Sequence, residues 1–290
     1  KRKEVPGMKL LTLNTHSLAE EHADQKREIF AEMITQELPD IFALQEVNQR
    51  IEEEPVLMDG DPQYVPCRGF SGPVRRGNHA LSLAQLLKEK NCPYFWTWVP
   101  AKIGYGIYEE GLSLFSHAPI HQTEQLFISQ NRDFSNWRTR KSLGIKTCGE
   151  WFYSVHMGWW KDEEEPFARH WDCLSQHLKA ARSEQETIWI CGDFNSPSDV
   201  LGEGYSYVKD SGWQDTYGLA KEKDSGVTVG GVIDGWRNQN RKEKNEGMRI
   251  DYIWCSKKRN IRQSQVVFNG KHYPVVSDHY GVMIETEEIS

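Results

Sequence analysis

Long apolar runs are missing from this 290-residue sequence; none approaches the roughly 18 residues of a membrane-spanning helix. A signal-peptide core after the start is missing too, so the chain reads as a cytoplasmic protein with reduced thiols. Its six cysteines, Cys67, Cys92, Cys148, Cys173, Cys191 and Cys255, show neither CxxC nor zinc-ligand spacing. Positive charge is in deficit, with 35 Lys and Arg against 42 Asp and Glu and a net charge of -7. That balance argues against a nucleic-acid partner, whose binding face is usually basic. A bound divalent cation can nevertheless invert the local charge of an acidic cleft. Linkers and internal repeats are also lacking. Charged residues at 27% and apolar ones at 38% leave ample material for a core. The surplus is in tryptophan, eleven in all, most of them expected inside. Lys1–Gly7 is short and basic ahead of Met8. It reads as an N-terminal extension or remnant, leaving 8–290 as one domain.

Strand and helix signals alternate from Met8 onward. Met8–Asn14 is an apolar run ending on polar residues, as a buried strand opening onto a site would be. Asp24–Leu38 places Ile29, Phe30, Met33, Ile34 and Leu38 on one helical stripe. Ile41–Gln45 reads as a second buried strand, ending at Glu46, and Ile51–Gly77 as a surface excursion. Asn78 is a candidate cap for a helix to about Lys90. Strands are expected at Tyr94–Lys102, Gly111–Ser116, Gln122–Ile128, Lys141–Thr147, Trp151–His156, Thr187–Cys191, Arg249–Cys255, Gln263–Phe268 and Tyr280–Ile284. Glu165–Arg182 carries Phe167, Trp171, Leu174, Leu178 and Ala181 on one helix face. Sizeable sheets with interspersed helices make this an α/β or α+β protein.

Asn14, Glu46, His156, Asp193, Asn195 and Asp251 each lie at an end or edge of an apolar strand. Singly, such residues are mostly caps and turns. Strands ending at one sheet edge bring them together, where open α/β folds place their ligands. Gly192-Asp193-Phe194-Asn195 is the sharpest segment, because an extended Asp-x-Asn points a carboxylate and an amide the same way. Asp251 interrupts an apolar strand and needs a buried partner, a histidine or a basic residue. Ser277-Asp278-His279 pairs an acid with an imidazole ahead of a strand. Glu46 offers the hard oxygen that magnesium or manganese prefers.

Taken in order, Leu13-Asn14, Leu44-Gln45-Glu46, Glu110-Gly111-Leu112-Ser113, Val155-His156, Gly192–Asn195, Arg249–Ile253 and Ser277–His279 make the chain resemble the endonuclease/exonuclease/phosphatase family, the DNase-I-like metal-dependent phosphoesterases. The match spans Met8 to Val282, and Asn14-Thr15-His16 departs from the usual polar pair. The resemblance implies a four-layer sandwich, two mainly antiparallel sheets packed face to face with helices outside and the site at one rim. It implies Mg2+, or Mn2+, on Glu46 and Asn14, and a water and phosphate oriented by Asp193 and Asn195. His279 would be the base with its tautomer set by Asp251, and Asp278 would assist the metal or the imidazole. His156 would stabilise phosphoryl oxygens or protonate the leaving group, steadied by Glu110, and Arg140 would face the phosphate.

Substrate signals are local. His156 is followed by Trp159-Trp160 and by the acids Asp162–Glu165, which would repel a nucleic-acid backbone. Indole faces suit a sugar ring, and acids accept bonds from its hydroxyls; alternatively the acids open the following helix, whose dipole favours them. Tyr105, Tyr108 and Trp137 lie on other rim loops. Trp159, Trp160 and Tyr105 are the expected substrate contacts. The run from Met8, with His156-Met157-Gly158-Trp159-Trp160, is similar to maltose 6'-phosphate phosphatases, which implies a small sugar-phosphate substrate such as maltose 6'-phosphate, with nucleic acid and membrane as unlikely partners. The alternatives are a phosphodiesterase, nuclease or sphingomyelinase-like, and a non-catalytic module that kept the fold.

Overall fold

Alternating side chains along the central strands sort into two different interiors. In the first strand Leu10 faces one apolar layer while Leu11 and Leu13 face another; in the second, Ile41 and Ala43 alternate with Phe42 and Leu44 in the same way. The computed structural model describes residues 7–231 and 247–287. The expected extension therefore lies, but for Gly7, outside the described residues.

In chain order the elements are β1 (Lys9–Asn14), α1 (Ala23–Glu37), β2 (Ile41–Arg50), β3 (Pro55–Val56), β4 (Val74–Arg75), α2 (His79–Glu89), β5 (Phe95–Gly104), β6 (Tyr108–Ser116), β7 (Gln122–Phe127), β8 (Lys141–Thr147), β9 (Glu150–His156), α3 (Phe167–Ala181), β10 (Ile188–Asp193), α4 (Gly204–Asp210), β11 (Gln214–Asp215), α5 (Thr216–Leu219), β12 (Glu222–Lys223), β13 (Asp251–Cys255), β14 (Ile261–Val267) and β15 (Gly281–Thr286). One sheet runs β12-β14-β15-β1-β2-β6-β5 and the other β11-β13-β10-β9-β8-β7. Both are mainly antiparallel, with β1 parallel to β2, β12 to β14, and β9 to β10. The small β3–β4 pair lies in the expected surface excursion.

Three apolar layers make the four-layer sandwich. Phe30, Met33 and Ile34 of α1 and Leu83 and Leu87 of α2 pack on the outer face of the first sheet, over Phe42, Trp96, Trp98 and Phe115. Leu112, Leu114, Leu143, Phe152, Trp189 and Ile253 fill the space between the sheets. Phe167, Trp171 and Leu174 of α3 cover Tyr153, Ile190 and Trp254 on the far side. The sequence thus places most of its described tryptophans in the layers. Asn78 caps α2 as expected, accepting from Ala80 and Leu81 N–H at 2.9 and 3.1 Å. No described helix is long and apolar enough to cross a membrane.

Glycine is required where β6 crosses β5. A Cβ on Gly111 would sit 2.2 Å from the Val99 carbonyl oxygen and 2.7 Å from Trp98 Nε1. Gly111→Ala is therefore expected to cost about 3 kcal/mol, the upper range for overpacking. Urea unfolding measures this, and a loss below about 1 kcal/mol would show that the strands relax around the methyl group.

Candidate functional site

Register alone assembles half of the site. In the second sheet β10 pairs with β9 and β13 so that Asp193 lies between His156 and Asp251. In the first, β1 ends at Asn14, opposite Gln45 of β2. A bulge then changes the direction of β2. Leu44 pairs with Ser113 and Val47 with Gly111, so Gln45 and Glu46 together face Leu112. Gln45 turns inward to Ser154 Oγ (3.0 Å) and Thr12 Oγ1 (3.2 Å), tying the two sheets together beneath the site. Glu46, at φ 52°, lines the cleft above. A second bulge, between Pro100 and Lys102 of β5, pairs Lys102 with Glu110.

The two rims meet at Asp193, which is 1% exposed. Its Oδ2 accepts from Asn14 Nδ2 at 3.1 Å, and its Oδ1 from the Asn195 N–H at 2.8 Å. The same Asn14 amide nitrogen donates to Glu46 Oε1 at 2.9 Å, while the Asn14 oxygen accepts from the His16 N–H at 3.2 Å. His156 Nε2 and His279 Nε2 stand 3.6 and 3.7 Å from Asp193 Oδ2. His279 Nδ1 lies 3.0 Å from Asp251 Oδ2, and the Thr228 hydroxyl accepts from the Asp251 N–H at 3.3 Å. Ser277 Oγ donates to the Asn14 carbonyl at 2.7 Å and accepts from the His279 N–H at 3.2 Å, so the loop carrying His279 is fixed to β1. Histidine was one of two partners open for Asp251, and it is the one found.

Burial and neighbouring charge push these groups apart. Burial, then the Asp251 charge, raises Asp193 above the ordinary carboxyl range. Burial opposes charge on His279, but Asp251 and Asp193 outweigh it and hold the ring as an imidazolium. Burial drives His156 far the other way, assisted by the charges of Arg140 and Lys102, so it is neutral. Burial and then Glu110 raise Glu46. Glu46, Glu110 and Asp278 crowd negative charge into one buried place, which the His16 charge offsets only in part and a cation would relieve further. Glu46 and Asp278, which line the cleft, and Asn14, bonded to Glu46, carry the hard oxygens that a divalent ion prefers. The Asn14 amide must turn to present its oxygen. Two tight His/carboxylate groups that could hold a metal are also present, His16–Glu20–Asp278 and Asp193–Asp251–His279.

The cleft has a volume of about 210 Å³ and is lined by His16, Glu46, Lys102, Tyr105, Glu110, Trp137, Arg140, His156, Trp159, Asp193, Asn195, Asp278 and His279, among others. Most expected residues therefore converge. Asp278 does so beside His16 and Glu20, where its N–H donates to Glu20 Oε1 at 3.2 Å, and its charge also favours the charged His279 ring. Glu110 stands 3.9 Å from His156 Nδ1 but pairs more closely with Lys102 at 3.2 Å.

Trp160 is a correction to the expected substrate contacts. It does not line the cleft but packs on Phe167 and Tyr207, because the helix α3 beneath it offers an apolar seat. Trp137, 5.3 Å from Trp159 between ring centroids, takes the second aromatic place at the mouth. The acids after Trp160 are also engaged. Asp162 binds Arg138 and the N–H groups of Glu164 and Glu165, and buried Glu165 accepts from Gln130 and Asn131 N–H. Asp162 and Glu165 hold the loops that carry Arg140 and Trp159, Glu163 and Glu164 are exposed, and none of the four caps α3, which begins after Pro166 with no acid in its first turn. Reasoning from sequence missed Lys102, Glu20 and the placement of His16. A lone lysine in an apolar strand and a glutamate four residues after a histidine were the signals, but both needed the register to be read.

His16 lies 2.7 Å from Glu20 Oε1 and 3.0 Å from the Tyr105 hydroxyl. Burial opposes its charge, but the Glu20 bond and the Glu46 and Asp278 charges lift it to about 9. Burial raises Glu20 in turn, yet its bonds from His16 and Lys26 bring it down to about 2. An acid depressed in the folded state contributes stability that is complete above its ordinary 4.5 and lost as pH falls through 2. Glu20→Gln should therefore cost about 2 kcal/mol at neutral pH. In urea unfolding followed into acid, the gap to wild type should close; a gap of constant size would contradict the ion-pair account.

The profile of the Endonuclease/Exonuclease/phosphatase family matches residues 11–279. An endonuclease/exonuclease/phosphatase family protein from Leptotrichia buccalis is similar at 27% identity with a TM-score of 0.80, covering 97% of this chain and 99% of its own. A mannosyl-6-phosphatase from Bacteroides thetaiotaomicron superposes with a TM-score of 0.61 at 14% identity, covering 96% and 99%. TDP2 from D. rerio, in complex with a single-strand DNA product, reaches 0.59 at 12% identity, covering 97% and 99%. None of the curated proteins matches the chain.

Proposed function

The chain belongs to the endonuclease/exonuclease/phosphatase family, and from that premise we propose that it is a Mg2+-dependent phosphomonoesterase acting on a sugar phosphate such as maltose 6'-phosphate. The observation that carries the substrate reading is the mouth of the cleft. Trp137, 43% exposed, and Trp159 form an aromatic wall, with Tyr105 also lining the cleft, above a floor of cations and imidazoles. Indole faces suit the apolar face of a sugar, and the cleft, with a volume of about 210 Å³, opens to solvent beside this wall. The mannosyl-6-phosphatase of the same fold supports that reading. Aromatic rings also stack on bases, and the TDP2 likeness keeps a phosphodiesterase as the second reading. We read residues 8–290 as one catalytic domain, since the family match reaches into both sheets.

Hydrolysis adds water across the P–O bond of R–O–PO3 to give R–OH and inorganic phosphate. Asp193 and Asn195 hold the attacking water in line. Asp193, buried and raised, is suited to take its proton as the new O–P bond forms. This differs from the base role expected for His279, which Asp251 instead keeps charged and directed at the phosphoryl oxygens. Neutral His156 donates a further hydrogen bond, and Arg140 adds positive charge. The sugar oxygen leaves toward the mouth and takes its proton from solvent. Glu46 and Asn14, with Asp278, would hold Mg2+ or Mn2+, which supplies Lewis-acid polarisation and charge neutralisation when bound.

A phosphate-release panel tests this reading, with maltose 6'-phosphate and hexose 6-phosphates set against single-stranded DNA, RNA and sphingomyelin. Turnover of a sugar phosphate, lost on chelation and restored by Mg2+, is expected. Asp193→Ala should lower kcat about a thousandfold without loss of fold. Cleavage of DNA alone would replace the phosphatase reading with the diesterase one.

A further inference from the structure

Two buried cations at the side of the cleft, Lys102 and Arg140, keep hydrogen-bond donors that the protein does not use. Lys102 is the one cation in apolar β5 and is 8% exposed; among the described residues its ammonium has one ion-pair partner, Glu110 at 3.2 Å. An ammonium carries three donors, so two remain for a ligand. Arg140 is 4% exposed. Its Nη1 serves the Trp137 and Thr139 carbonyls, while its Nε is buried without a partner. Both side chains line the cleft with His156 and also line a smaller recess beside it, together with Glu110. Buried donors left without a partner are costly unless something completes them. Burial and the Arg140 charge both disfavour the charged lysine, with Glu110 offsetting them only in part.

We propose that Lys102 and Arg140 form the seat for the terminal oxygens of a phosphomonoester, and that Lys102 sets a preference for monoesters over diesters. The proposal rests on the phosphatase reading above and deepens it. A monoester presents three non-bridging oxygens and close to two negative charges. A diester presents two oxygens and one charge, with a carbon substituent where the third oxygen would lie. A second cation therefore adds more to the first than to the second. The bulge at Ala101 is what turns Lys102 onto the cleft face of its strand, opposite Glu110.

The test uses Lys102→Gln, which removes the charge but can still donate to Glu110, and Lys102→Arg, which keeps it. Binding of inorganic phosphate to the Mg2+-loaded proteins is measured by calorimetry. Turnover is measured on p-nitrophenyl phosphate and bis-p-nitrophenyl phosphate, with thermal melts checking the fold. Lys102→Gln should weaken phosphate binding roughly ten- to a hundredfold and lower the monoester-to-diester ratio of kcat/KM by a similar factor. Lys102→Arg should recover most of both. Should Lys102→Gln not fold, Lys102→Met carries the same comparison. Phosphate affinity within twofold of wild type, or an equal fall on both esters, would overturn the proposal and leave Lys102 a partner that positions Glu110. A wild type that binds phosphate through Lys102 yet hydrolyses only diesters would instead refute the phosphatase reading and the monoester preference, leaving the anion seat standing.

Discussion

The rest of the structure depends on keeping one carboxylate, Asp193, buried at the junction of two sheets. At 1% exposure its charge needs donors and counter-charge from protein. They arrive from separate parts of the chain: Asn14 from the opposite sheet, the Asn195 N–H from the turn after β10, and His156 and His279 from the neighbouring strand and a distant loop. Each contact is satisfied at one relative placement of the sheets. The Thr12–Gln45–Ser154 network, buried immediately below, enforces the same placement. Apolar packing between the sheets supplies the adhesion, and these polar contacts supply its registration.

Local distortions then set the cleft chemistry. Regular β2 and β5 strands would alternate their side chains without interruption; the two bulges, on either side of β6, bring Glu46 and Lys102 to the rim near Glu110. They leave Glu46 in the left-handed region, a strain of about 1–3 kcal/mol that the surrounding sheet must sustain. Gly111 permits the close crossing there, and Gly192 permits another, since a Cβ on it would lie 2.0 Å from the Val155 carbonyl oxygen. The loops above are held as firmly. Glu165 fixes the segment before Arg140, and His170 Nδ1 accepts the Gly158 N–H at 3.2 Å, fixing the segment after His156. The outcome is a pair of imidazoles with opposite charge preferences on one carboxylate, one held charged and the other neutral by their surroundings.

Much of this was legible in the sequence, for a physical reason. Apolar strands terminating in Asn14, His156 and Asp193 carry their own boundary signal, and parallel or antiparallel pairing puts such ends side by side. Asp251 was readable as a buried acid in search of a partner, and His279 fulfils that role. Lys102 was not readable, because its meaning depends on a bulge and on Glu110 across the strand, and neither leaves a mark in β5 itself. Trp160 misled for the converse reason. Two adjacent indoles must point in different directions, and sequence does not say which one the helix beneath will claim. The acids at Asp162–Glu165 looked like helix openers or sugar contacts because their true partners, Arg138 and the N–H groups of Gln130 and Asn131, lie some thirty residues away.

The crowded negative charge around Glu46 is proposed as the seat of a divalent cation and so of phosphoester chemistry. Anomalous diffraction from crystals grown with Mn2+ tests it most directly. A single strong peak is expected against the Glu46 carboxylate, within reach of Asn14 and Asp278, and lost in Glu46→Gln. A peak held instead by Asp193, Asp251 and His279, or persisting undiminished in Glu46→Gln, would contradict it.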